Sequence, residues 1–554
     1  MRVPNLLRNK YNNVRNPTED KFAMAGVHKN IPKSVLADVV LNARDRRPLY
    51  QQLAEGIALQ IRNGAVPRGA RLPALRELAR KHEVALVTAS QAYEALASEG
   101  LVVSRTGRGT FATYDGTAIE TNRRDGQQRA SQPSRSSNLD IDSVISPDGA
   151  QNRRVAAMRL SRWSARAGTI ALSNGHTAPE TYPLPDFARC YARTFLDDPA
   201  EIHQYRADRG DERLRELFAE RLRSRGADVG ADDILIVSGA QQALSLVAET
   251  FLEPGDFAAA EAPTYFAALE VFDQRRVSWV NVARDADGVL PDSLRDGVRR
   301  FSPRLIYLNT AAHNPTGGFL ARSRHRPILE IASASKLTVV EDQTCWPLCY
   351  DGEAPPPLIS SSHGDVVVTI ESLSKLLFPS LRIGYIAARG AAMRALYAAK
   401  LRADTFTTTV AQRALVRFLE SKAADRHLRA ARFLYRRRRD ALMTALRRVV
   451  PDGTRVSAPS GGVNVWVELP RGWSTVDLFG YAAREGMLFL PGAAFYPTTP
   501  AHNALRLSYG TLPEELAAEA MARFGRAMRA YAAARKSGKR LLAGADPPGV
   551  VAAV

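Results

Sequence analysis

Three apolar runs in this 554-residue chain end on groups that could do chemistry. Val366-Val367-Val368-Thr369-Ile370 leads into Ser372-Leu373-Ser374-Lys375. Leu337-Thr338-Val339-Val340 ends on Glu341-Asp342, and Asp233-Ile234-Leu235-Ile236-Val237 runs into Ser238-Gly239-Ala240-Gln241-Gln242. A fourth stretch, Leu505-Arg506-Leu507-Ser508, alternates as a strand does and turns Arg506 opposite its two leucines. Each alone has a plain reading. A lysine after a strand is usually solvated, an acid at a strand end is often a cap or ion pair, and Ser-Gly turns open many helices. In open α/β sheets, however, ligands bind beyond the carboxyl ends of the strands. The strand spacing brings Asp342 and Lys375 to the same sheet edge.

Pyridoxal 5'-phosphate needs this set of groups. A lysine forms the Schiff base and later moves a proton, while a carboxylate keeps the pyridine nitrogen protonated so that the ring takes up carbanion charge. A helix N-terminus and an arginine hold the phosphate. Between the stretches stand Pro263-Thr264-Tyr265, Asn314-Pro315-Thr316-Gly317 and Leu381-Arg382-Ile383-Gly384-Tyr385. With these motifs the region resembles the fold-type I aminotransferases.

The resemblance implies a role for each residue. Lys375 carries the Schiff base, and Asp342 meets the pyridine nitrogen. Asn314 bonds the phenolic oxygen, and the Tyr265 ring stacks on the cofactor. Gly239, Ala240, Gln241, Ser372, Ser374 and Arg382 surround the phosphate. Arg506 grips a substrate carboxylate. Tyr205, followed by Gly210 and Leu214-Arg215, resembles the tyrosine that reaches a partner subunit's phosphate, which implies a dimer. Two positions depart from the family. Cys345 stands where a tyrosine usually helps the asparagine stabilise the phenolate, and Ser380 replaces a common glycine. Losing the tyrosine should raise the Schiff-base pKa and weaken proton transfer, which favours a sensor over an efficient transaminase. A metal pair at Cys345 and Cys349 lacks further ligands.

These residues need an α/β scaffold around a mostly parallel sheet, and alternating helix-like and strand-like segments over residues 166–535 supply it. The remainder of the chain is of other kinds. Residues 1–40 read as a loosely ordered arm, 115–165 as a polar linker too poor in apolar residues to offset its ordering entropy, and 536–554 as a disordered tail. The formal charge of +19 and pI near 10.0 favour a polyanionic partner or reflect a GC-rich coding sequence. Three cysteines, Cys190, Cys345 and Cys349, fit a reducing compartment. No apolar run reaches the roughly 18 residues of a membrane span, and the N-terminus lacks a signal-peptide core. The expectation is a soluble, cytoplasmic protein with no membrane partner.

Residues 41–114 form a separate punctuated unit. Apolar residues at 49, 53, 57 and 61 make a helical stripe. Pro73 opens a second helix from Ala74 to His82, at a first-turn position that tolerates proline. A third helix runs from about Ala85 to Glu99 and ends at Gly100. Two short helices around a tight turn are a helix-turn-helix. Leu101-Val102-Val103-Ser104 and Gly109-Thr110-Phe111-Ala112 flank the basic tip Arg105-Thr106-Gly107-Arg108, a wing. Arg44 to Phe111 holds eleven Lys or Arg against six Asp or Glu. That is the electrostatic footprint of DNA binding, with a helical protein-interaction module as the alternative.

Pro48-Leu49-Tyr50-Gln51-Gln52-Leu53, Leu72-Pro73, Arg76-Glu77-Leu78-Ala79, Ala92-Tyr93-Glu94-Ala95-Leu96, Glu99-Gly100-Leu101 and Gly107-Arg108-Gly109-Thr110-Phe111 resemble the GntR family of winged-helix regulators. The resemblance implies DNA contacts from Arg76, from the third helix (Thr88, Ser90, Gln91) and from the wing (Arg105, Arg108). Ala85 and Leu86 replace the usual Ser-Arg pair, so sequence preference should differ from typical relatives.

A GntR-type winged helix ahead of an aminotransferase-like domain resembles the MocR subfamily. The resemblance implies a domain-swapped homodimer on promoter DNA, associated with the nucleoid. Its DNA binding is modulated by an amino acid, an amine or pyridoxal 5'-phosphate. A working aminotransferase with an accessory DNA-binding module is the alternative.

Overall fold

In the computed structural model the chain divides into two compact units, Met1–Asn138 and Leu139–Val554. The described residues are 48–62, 70–98, 101–105, 109–112, 168–197, 209–498 and 500–537, with single positions 39, 41, 66 and 199. Tyr205, Arg108, Gly100 and all of 115–165 lie outside them, as do most of the arm and tail.

The first unit has helices α1 (Leu49–Arg62), α2 (Leu75–Lys81) and α3 (Leu86–Ser98), then the antiparallel hairpin β1 (Val102–Arg105) and β2 (Gly109–Ala112). Leu53, Ile57 and Ile61, one face of α1, bury against Leu78 of α2 and Ala89, Ala92 and Leu96 of α3. Truncating such a buried leucine to alanine costs about 2–5 kcal/mol.

Two details differ from the sequence reading. Ala74 is the extended N-cap of α2 (φ −64°, ψ 149°), so Pro73 precedes the cap instead of opening the first turn. There its carbonyl accepts the Tyr93 hydroxyl at 2.8 Å, pinning the entry of α2 to α3. The hairpin also gains a third partner. Leu72 N donates to Thr110 O at 2.8 Å, and Ala112 N donates to Ala70 O at 3.0 Å. Gly109 (φ +108°) makes this crossing possible, because a Cβ there would lie 2.8 Å from Arg71 Nε.

The second unit is built on eight strands. After the short β3 (Ile170–Ala171) they are β4 (Ile234–Val237), β5 (Phe257–Ala262), β6 (Ser278–Asp285), β7 (Gly288–Val289), β8 (Leu305–Asn309), β9 (Thr338–Asp342), β10 (Val367–Ser372) and β11 (Gly384–Ala387). Their order is β4-β11-β10-β9-β8-β5-β6-β7. Strands β6, β5, β8, β9 and β10 run parallel, while β11 runs against both β10 and β4. Helices cover both faces, which is why β4 and β8 read as continuous apolar runs instead of alternating. Ile306, Leu308 and Val339 enter one core, and Tyr307, Val340 and Ile370 the other.

A second sheet is antiparallel, in the order Arg455–Val456, Asn464–Glu468, Ala504–Ser508, Leu490–Pro491. Helices Lys422–Arg447 and Ala517–Lys536 pack a separate core behind it. Among the described residues no helix is long and apolar enough to cross a membrane.

Candidate functional site

Six strands, β4, β5, β6, β8, β9 and β10, end on one edge of the large sheet, and the antiparallel β11 starts there, so chemistry collects at that edge. Asn309 of β8 lies beside Asp342 of β9. Alternation turns Tyr307 and Asp342 to the same face. The Tyr307 hydroxyl donates to Asp342 Oδ2 at 2.8 Å, and the Thr344 amide donates to Oδ1 at 2.9 Å. Burial, reinforced by the Asp342 charge, pushes the Tyr307 phenol well above its usual range, so it remains a donor.

Glu341 points to the opposite face. It accepts from the hydroxyls of Thr310 and Thr369, from Gln343 Nε2 and from the Leu358 amide. Of the two adjacent acids, Glu341 ties strands together and Asp342 faces the site.

Beyond β10 the Ser372 and Ser374 hydroxyls bond each other at 3.1 Å, and Lys375 follows. Its Nζ donates to the Gly175 carbonyl at 2.5 Å. Burial depresses this amine below the ordinary lysine value; Cys345 offsets part of the effect and the Arg506 charge adds to it. Burial also pushes the Cys345 thiol up to about 11, with Lys375 opposing.

Arg506, on the strand Ala504–Ser508, is 3% exposed. It donates through Nη2 to Ser173 O at 2.6 Å and through Nη1 to Asn314 Oδ1 at 3.1 Å, while Nε is buried without a partner. Burial lowers its pKa to about 10, which leaves it cationic at neutral pH. Tyr265 caps the helix Phe266–Asp273. Burial and then the Asp342 charge push its phenol up to about 12, with Arg506 opposing. Lys375, Asp342, Tyr265, Asn314, Arg506 and Cys345 therefore belong to one cluster.

A second cluster adjoins it at the N-terminus of the helix Ala240–Phe251, whose first N–H groups have no helical partner. Gly239 caps this helix at φ +89°, and a Cβ there would lie 2.8 Å from Arg382 Nη2. Arg382, itself left-handed at φ +53°, donates to Ser238 O at 2.5 Å and to Ser374 Oγ at 3.4 Å. Backbone amides, a hydroxyl and a guanidinium converge on a cradle that a side chain at 239 would fill, the donor set of a phosphate site.

Sequence reasoning missed three parts. Tyr307 is one, and its signal was a lone hydroxyl in an apolar run one strand from Asp342. Gln242 is another: it accepts from Ser238 N and donates to Asp404, both at 2.7 Å, while Gln241 is exposed. The third is the segment Ser173–Gly175, which acts through carbonyls and carries no side-chain signal. Tyr205 falls outside the described residues.

In the first unit Arg76 and Gln91 are exposed, and Thr88 and Ser90 are half-buried. The Ser90 hydroxyl donates to Glu94 at 3.1 Å. Arg105 ends β1, with its side chain outside the described atoms, and Arg108 lies outside altogether. Among the described residues no group of three His, Cys, Asp or Glu side chains is placed to hold a metal.

Residues 172–524 match the aminotransferase class I and II family, and residues 49–112 match the bacterial regulatory proteins of the gntR family. The chain is 33% identical to 2-aminoadipate transaminase of Thermus thermophilus, over 69% of this chain and 96% of that protein. It is 27% identical to the probable rhizopine catabolism regulatory protein MocR of Rhizobium meliloti, over 83% of this chain and 89% of that one. The crystal structure of LysN, an α-aminoadipate aminotransferase from Thermus thermophilus, superposes with a TM-score of 0.65 at 31% identity, covering 71% of this chain and 99% of LysN. The chain thus belongs to the aminotransferase class I and II family and carries a gntR-type winged helix ahead of that domain, which makes it a transcription regulator of the MocR type.

Proposed function

We propose that the second unit holds pyridoxal 5'-phosphate and that an amino compound, or the cofactor itself, alters promoter binding by the first. The cradle at Gly239, which a side chain there would fill, and the buried, unpartnered Arg506 Nε support the fit. When bound, the cofactor supplies an electrophilic carbon and an electron-accepting ring. Lys375 Nζ, held below the ordinary lysine value by burial, offers the amine for covalent attachment and holds or releases a proton at that atom. Asp342, fixed by Tyr307 and Thr344, would meet the ring nitrogen. Ser372, Ser374, Arg382 and the amides of Gly239, Ala240 and Gln241 would hold the phosphate, and Tyr265 and Asn314 would contact the ring. Arg506 orients a ligand carboxylate.

One observation carries the regulatory part. Lys375 and Arg506, the two cations a ligand would engage, both donate to carbonyls of Ser173–Gly175. That segment follows the stretch leading back to the winged helix. A carboxylate on Arg506 competes for the donor that Ser173 O holds, whereas the donor at Gly175 O is already contested by cofactor attachment at Nζ. Ligand arrival therefore loosens residues 168–178. Hydrogen exchange of the full-length, cofactor-loaded protein tests this. Faster exchange at 168–178 on adding an amino acid is expected, and unchanged exchange at a saturating dose contradicts it.

By the family resemblance the acting form is a homodimer on nucleoid DNA in the cytoplasm, with Tyr205 reaching the partner's phosphate. Exposed Leu184, Phe195 and Leu196 on the helix Leu184–Asp197 support an apolar contact between copies. A working aminotransferase is the second reading, favoured by the retained set Lys375, Asp342, Asn314 and Arg506. Cys345 weighs against it, because a buried thiol does not replace a phenol as a hydrogen-bond donor.

A further inference from the structure

We infer that Leu86 and Val87 read thymine methyl groups in the major groove, an inference that rests on the first unit binding duplex DNA. Helix α3 buries Ala89, Ala92, Tyr93 and Leu96 against the core. That fixes the outward face as Leu86, Val87, Ser90, Gln91 and Glu94. Its first turn is apolar yet open to solvent: Leu86 is 48% exposed and Val87 67%. Exposed cations precede it in the chain, Arg76, Arg80 and Lys81 on the preceding helix and Arg71 ahead of that.

In a helix-turn-helix the N-terminal residues of the second helix meet base edges, while surrounding cations meet phosphates. An aliphatic side chain neither donates nor accepts a hydrogen bond. It discriminates base pairs through the one apolar group on the major-groove edge, the C5-methyl of thymine. These cations select a polyanion over an apolar protein surface, and the apolar tip selects thymine within it. Further along the same face Ser90 is engaged by Glu94, and Gln91 is exposed to accept and donate at a neighbouring adenine.

Thymine-to-deoxyuridine exchange isolates the methyl, since it leaves every hydrogen-bonding group in place. The full-length protein is used to select duplexes from a random pool at low salt. The retained sequence is then remade with deoxyuridine at each thymine in turn. One or two positions are expected to lose about fourfold in affinity, the worth of one buried methyl. Leu86→Ala/Val87→Ala should abolish the thymine–uridine difference while keeping the salt dependence of binding. Equal affinity for thymine and uridine at every position, with the duplex still bound, overturns the inference alone. Failure to retain any duplex overturns it together with the DNA-binding reading beneath it.

Discussion

The two units hold their functional side chains in opposite ways. At the sheet edge of the second unit the central groups are tied to protein: Asp342 by two donors, Arg506 by two acceptors, Lys375 by one. On the first unit Arg76 and Gln91 stand in solvent, and Leu86 and Val87 are largely open to it. Burial makes the first arrangement costly to alter, because a buried polar group that loses its partner costs about 1–3 kcal/mol. Exposure makes the second free to change. The aminotransferase-like site accordingly keeps nearly the whole motif set of its family, while the recognition helix departs at its opening residues.

That contrast breaks most sharply at Lys375. Lys375→Ala should lose all covalent cofactor, read as loss of the bound cofactor's visible band and of a borohydride-trapped adduct. A surviving adduct at the same site would show that another amine does the work. In the unmodified protein, attachment should speed up with rising pH and level off below the ordinary lysine value near 10.4, since burial depresses this amine. A midpoint at or above that value contradicts the assignment.

Tyr307→Phe removes one of two donors to a buried carboxylate. A hydrogen bond to a charged group is worth about 1.5–3 kcal/mol, so cofactor affinity should fall roughly ten- to a hundredfold. Thermal stability of the cofactor-free protein should fall as well, since the same buried carboxylate loses that donor there. Unchanged affinity in a cofactor titration would mean that Thr344 alone positions Asp342.

On the exposed side the effects are smaller and depend on salt. Arg76→Ala should reduce the slope of log affinity against log salt by about one, without changing which sequence is preferred. A change of preference at constant slope would move Arg76 from phosphates to bases. Smallest of all is Cys345→Tyr, which restores a phenol beside the site. It should raise any residual transamination without altering cofactor attachment, and a fall in turnover in a steady-state assay would remove Cys345 from the account.

The same contrast explains what the sequence disclosed. Lys375, Asp342 and Arg382 were legible because the ends of β10 and β9 and the start of β11 fix their placement, and a cofactor's demands suggest their types. Which of Glu341 and Asp342 faces the site was settled by register alone, one residue deciding the face. Tyr307 was hidden because its partner lies 35 residues away on the adjacent strand. Ser173–Gly175 was illegible in principle, since any residue offers a carbonyl. In the first unit the helices followed from spacing, but the pairing of residues 70–72 with β2 did not, because three residues are too few for a strand pattern.

The central claim is that ligand capture in one unit is felt by the other. Its most direct test measures the affinity of full-length, cofactor-loaded protein for a selected duplex at fixed salt, with and without an amino acid, in parallel with Lys375→Ala. The account predicts a several-fold change in affinity that needs no keto-acid product and disappears in the variant. Identical binding curves, together with steady transamination at tens of turnovers per second, on the order of an ordinary enzyme, would contradict it.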